Sequence, residues 1–243
     1  MTATMERSTT HVPSRWTRRI VLVGFVWTGI IVALMLVEPV PEDRVIGLSI
    51  AASGLYGWAF WLTRNRWLPR LSGHPLRNAI WLGSINAAVI ETLFLSFGWL
   101  LGAEGVGAHP NLVIDLLLTM PWYIGMVVIF VRMQHRRRFS LWVVLLLGGL
   151  YEVGADGIIG AIPSGSLVSP VYWLLLPLVA FWMFVPVYSS MVLPPALLVG
   201  TTPAPSPPAV PAWRDAIRPL WWLVPFFVYL VAAMLVLMGL DIA

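Results

Sequence analysis

Glu91, Asp115, Glu152 and Asp156 lie inside apolar runs long enough to cross a membrane. An ionisable group in hydrocarbon is costly, so it faces a protein-lined space and marks a functional site by default. The chain has only eleven acidic residues, and four of them sit in these runs. Glu152 and Asp156 are spaced i and i+4, which places both on one side of a helix. Asp115, Thr119 and Trp122 share a face by similar spacing, as do Glu91, Phe94 and Leu95. Two carboxyl groups in a water-poor site can divide the work of acid and base, one donating a proton and the other accepting one. Trp58, Trp61, Trp122, Trp173 and Trp182 lie deeper than the other tryptophans and could line such a site. An indole face stabilises a cation, so acids and tryptophans together suit carbocation chemistry.

Other chemistries are poorly served. Cysteine is absent, so no disulfide, thiol nucleophile or thiolate ligand is available. All fifteen basic residues are arginine, which removes lysine Schiff-base chemistry. His11, His74, His109 and His135 fall outside the apolar runs, and no metal-ligand spacing or phosphate-binding loop occurs. No metal and no cofactor is therefore expected. The sequence pI near 10.0 raises nucleic acid as a partner, but the arginine positions give a topological reason instead.

The elements that must carry these acids follow from hydropathy. The chain is 59% hydrophobic and 11% charged, far from soluble composition. Seven runs, about 20–37, 45–63, 79–102, 111–132, 140–162, 171–193 and 219–240, can each cross roughly 30 Å of hydrocarbon. Fourteen of the fifteen arginines flank alternate loops, leaving only Arg44 on the other side. This positive-inside pattern predicts an all-α integral membrane protein of seven transmembrane helices, N-terminus cytoplasmic and C-terminus outside. In a prokaryote that is the inner, or cell, membrane. The predicted organisation is a polar tail at 1–15, a six-helix body at 16–193, a proline-rich cytoplasmic linker at 194–218 and a seventh helix at 219–243. Proline density in 194–218 favours an extended linker over a helix. Helical rise places Glu91 and Glu152 at mid-depth, about 15–16 Å from the outer ends, with Asp115 and Asp156 above them.

Residues 79–193 carry a resemblance. Val89-Ile90-Glu91 followed by Phe94, Asp115 seven residues before Trp122, and the order of types from Trp122 to Phe139 resemble the emopamil-binding protein (EXPERA domain) family. Ser169-Pro170-Val171-Tyr172 and the Trp182 and Pro186 pair add to it. The family includes sterol Δ8–Δ7 isomerases and sterol-binding receptors, so the resemblance implies an apolar ligand taken from the bilayer. The chain departs from the isomerases at Ala87, where they carry histidine, and at Val179, where they carry asparagine.

Three functions are expected from this kit. The first is a membrane-embedded isomerase or cyclase acting on a sterol-like or isoprenoid lipid. Glu91 and Asp115 would be its acid/base pair, with Glu152 as a third catalytic carboxyl. Asp156, Trp122, Trp182, Thr119, Phe94 and Tyr151 would surround the substrate. The second is a non-catalytic lipid- or sterol-binding protein. The third is a proton-coupled small-molecule transporter relaying protons through Glu152 and Asp156. The expected partners are a hydrophobic lipid and the membrane itself, with no nucleic acid.

Overall fold

Proline or asparagine opens α-helices at four points in the computed structural model, which describes residues 15–159, 165, 168–203, 205 and 212–240. Helix α1 spans Arg15–Val37, α2 Pro41–Leu71, α3 Pro75–Leu101 and α4 Leu112–Arg137. Pro41, Pro75 and Pro170 stand in the first turns of their helices, where a missing N–H costs nothing. Asn111 caps α4, accepting from Val113 N at 2.9 Å. Gly102 ends α3 in the left-handed conformation at φ 67°, and its N–H closes on Gly98 O. Helix α5 (Leu141–Glu152) runs into a π-helical segment, Val153–Ile159. Helix α6 (Pro170–Leu175), a π turn (Leu176–Ala180) and α7 (Phe181–Gly200) form one continuous rod. Helix α8 (Ala212–Ala216) and a 3-10 turn (Arg218–Trp222) lead into α9 (Leu223–Gly239).

The chain is an all-α membrane protein, with no strand among the described residues. Among the described residues, six helices are long and apolar enough to cross a bilayer. The run expected at 140–162 is the exception, because its α-helical part is only the twelve residues of α5 before the π segment. The expected boundary at 193 also moves. Helix α7 continues through Pro194 and Pro195 to Gly200, so the start of the anticipated linker is buried helix. The tail before residue 15, most of 204–211 and residues 241–243 lie outside the described residues.

Helix α7 is the hub. Nearly every residue from Met183 to Val199 is buried, and α2, α3 and α5 pack around it. Helix α9 is the opposite: Phe226 is its single buried residue.

Prolines explain much of the polar wiring. A proline inside a helix leaves the carbonyl four residues earlier without its N–H donor. In hydrocarbon that carbonyl must be met by another group. Pro186 releases Trp182 O, which accepts from Thr28 Oγ1 of α1 at 2.7 Å. Pro194 releases Ser190 O, which accepts from Asn86 Nδ2 of α3 at 2.6 Å. Pro121 releases Leu117 O, which accepts from Tyr229 Oη of α9 at 2.6 Å. Each bond joins two helices far apart in sequence, so the helix breakers become the points at which the bundle is stitched.

Candidate functional site

Glu91 projects from the middle of α3 toward α4 and is half-buried. Its Oε1 accepts a short hydrogen bond from the phenol of Tyr123, a buried residue of α4. The Tyr123 ring meets that of Tyr188 on α7 edge to face, with centroids 5.9 Å apart. The Tyr188 hydroxyl accepts in turn from Trp122 Nε1 at 3.0 Å. Trp122 is 2% exposed and lies 5.9 Å from the ring of Phe226 on α9. A carboxyl, two phenols and an indole thus form a chain across α3, α4 and α7, deep in the bundle. Adjacent residues of α4, Trp122 and Tyr123, can both join it because Tyr188 meets one through its hydroxyl and the other through its ring edge.

Glu152 is buried at 3% exposure and is the last residue of α5. The helix widens into its π segment immediately afterwards, a feature often found at functional sites. The backbone of Asp156 lies in that segment, but its side chain is outside the described residues, so its expected substrate contact has no structural account.

Asp115 belongs elsewhere. It is fully buried in the first turn of α4, and its Oδ1 accepts from Ala108 N at 2.8 Å and His109 N at 3.3 Å. The carboxylate holds the α3–α4 loop against the start of α4, where negative charge also suits the helix dipole. Asp115 lies two helical turns, about 12 Å, along α4 from Tyr123. The expected Glu91 and Asp115 acid/base pairing therefore gives way to Glu91 with Tyr123, because the Asp115 carboxylate is engaged by the loop. Thr119 is similarly occupied, donating to Asp115 O at 3.0 Å within its own helix.

The remaining expected site residues divide. Phe94 is half-buried and packs on the main core. Tyr151 is buried and donates to Ala216 O at 3.0 Å, so it secures the segment leading into α9. Trp182 sits against α1, where a Cβ on Gly24 would overlap its ring, and stacks edge-on to Phe181 at 4.9 Å. Trp182 also lines an apolar groove of about 400 Å³ with Leu150, Val153, Leu176, Pro177 and Phe181. Trp122 and Trp182 therefore look toward different neighbours rather than across one space. Among the described residues, no three histidine or acidic side chains gather to hold a metal ion.

Tyr188 and Phe226 were not singled out from sequence. A phenol two residues after Pro186, in the middle of an apolar run, was the available signal for Tyr188. Phe226 carries none, since its role depends on α9 lying over α4. No family model matches the chain, and no curated protein or solved structure matches it either.

Proposed function

We propose that the chain crosses the cell membrane seven times, with its arginine-rich face in the cytoplasm. In a prokaryote this is the inner membrane. There it acts as an isomerase or cyclase on a sterol-like or isoprenoid lipid. The observation that carries this reading is the Glu91–Tyr123 pair, coupled through Tyr188 to Trp122, with Glu152 buried on α5, which packs against the α7 helix that carries Tyr188. Protonated Glu91 donates its proton to an alkene carbon, forming a C–H bond and a carbocation. The Tyr123 hydroxyl holds the carboxylate left behind through its hydrogen bond. The faces of Trp122 and Phe226 stabilise the cation. Ionised Glu152 removes a proton from a second carbon and restores a double bond, so one proton enters and one leaves. In a cyclase a C–C bond forms between these two steps. The family resemblance over residues 79–193 supports the same substrate class.

Glu91→Gln and Glu152→Gln in purified protein should each cut turnover by about 10²–10⁴-fold, the usual share of general acid–base catalysis. Binding of a radiolabelled isoprenoid should persist. Full turnover in both variants would end the catalytic assignment.

A second reading, non-catalytic lipid binding, is favoured by the apolar groove beside Trp182. It expects saturable binding of the same isoprenoid with no product, weakened by a polar residue at Leu176.

A further inference from the structure

The arginines gather on a second surface, and what it can do depends only on the chain spanning a membrane. Four stretches of chain bring them to one face. Arg18 lies 5.9 Å over the Trp142 ring, joining the start of α1 to the start of α5. Arg138 donates to Thr202 O at 2.7 Å, joining the end of α4 to the end of α7. A Cβ on Gly83 would lie 3.1 Å from Pro195, setting early α3 against late α7.

Acids are kept from this face. None occurs in residues 7–37, 44–90 or 116–151. Asp215 is the one acid of the described residues there, and it is buried between Arg137 at 2.5 Å and Arg218 at 2.8 Å. The opposite end carries Glu38, Glu42, Asp43 and Glu104 against Arg44 alone. Most of the arginines are exposed, among them Arg66, Arg70 and Arg77 on the α2–α3 hairpin. Indoles fix the height of this belt: Arg19 lies 5.8 Å over Trp16 and Arg214 5.5 Å over Trp213. Tryptophan settles at headgroup depth, so guanidinium groups beside it lie level with lipid phosphates. A guanidinium fork binds phosphate with two parallel hydrogen bonds, which a lysine ammonium does not.

We propose that this face, centred on Arg66, Arg70 and Arg77, selects anionic phospholipid headgroups from the surrounding leaflet. Positive-inside topology needs only charge on the correct side. The near-absence of acids and the arginine-only composition go further, toward phosphate recognition.

The test uses the full chain in nanodiscs of phosphatidylcholine with a minority of phosphatidylglycerol. The lipids that stay bound after transfer to detergent are counted by native mass spectrometry. The bound fraction of phosphatidylglycerol should exceed its share of the bilayer and fall as salt rises. R66Q/R70Q/R77Q should reduce that enrichment on the order of tenfold. The remaining arginines preserve orientation, and an unchanged thermal melt shows that the variant is folded. R66K/R70K/R77K should retain only part of the enrichment. A bound lipid ratio equal to that of the bilayer, or one indifferent to the glutamine substitutions, would overturn the proposal. Displacement of the lipid by low millimolar inorganic phosphate would overturn it too, by assigning the face to a soluble anion.

Discussion

Thr28, Asn86 and Tyr229 stand in contrast to Glu91 and Glu152. All five are polar groups in apolar helices. The first three each meet a carbonyl that a proline has deprived of its helical donor. Glu91 instead meets the side chain of Tyr123, and Glu152 sits where α5 widens into a π segment. No proline lies four residues beyond either contact to account for it. A polar residue in a membrane helix therefore has two distinct reasons to exist, and the prolines tell them apart. Stitching residues owe their place to backbone chemistry, whereas the two glutamates have no such backbone reason and are proposed to transfer protons instead.

The contrast is broken most forcefully at Glu91. Glutamine keeps the carbonyl oxygen that accepts from Tyr123, so Glu91→Gln should leave the thermal melt nearly unchanged while turnover collapses. A melt that falls along with turnover would place Glu91 among the stitching residues. Next in size is Gly125→Leu. A side chain there would overlap the Trp222 indole, whose Nε1 donates to Pro121 O at 2.9 Å. Overpacking plus the lost hydrogen bond should cost about 1–3 kcal/mol. Because α9 is otherwise exposed, the loss should fall on that helix, read as faster proteolysis between α7 and α9. Uniform destabilisation would mean that α9 is part of the six-helix core after all.

Much of this organisation is written locally. Apolar runs and opening prolines place the helix starts within a few residues, but α2 and α7 run on past their expected ends to Leu71 and Gly200, and helical rise alone puts Glu91 near the middle of α3. What escapes local reading is any partner supplied from far away. Asp115 and Trp122 keep a suggestive spacing, but the amides that engage Asp115 come from a loop folded back over α4. Pro194 and Pro195 signal a linker by propensity, and Asn86, 104 residues from Ser190, helps overturn that signal by meeting the released carbonyl. Tyr188 and Phe226 join the site through helix packing, which no short-range pattern encodes. The π segments are equally silent in the sequence, since glycine and proline there are compatible with ordinary helix ends.

Asn86→Leu is the third test and carries its own control. Asn86 is fully buried, donating to Ser190 O and accepting from Tyr56 Oη at 3.0 Å. Leucine abandons both groups and should cost about 1–2 kcal/mol in unfolding titrations. Pro194→Ala supplies a backbone N–H to Ser190 O. In the wild type it should be nearly neutral, because a carbonyl can accept twice. In the leucine background it should recover part of the loss. Additivity of the two substitutions would show that Ser190 O never depended on Asn86.

Tyr229→Phe has the smallest expected effect and isolates the principle best. The Tyr229 hydroxyl reaches Leu117 O on the exposed side of α4. Interhelical hydrogen bonds in membranes average about 0.6 kcal/mol, and this one should be no stronger. Its value lies in the cycle with Pro121→Ala, which restores the helical donor to Leu117 O. Removal of the phenol should then cost almost nothing, because the carbonyl no longer needs it. An equal cost in both backgrounds would detach Tyr229 from the proline and leave its hydroxyl, like the Glu91 carboxyl, without a backbone reason to be there.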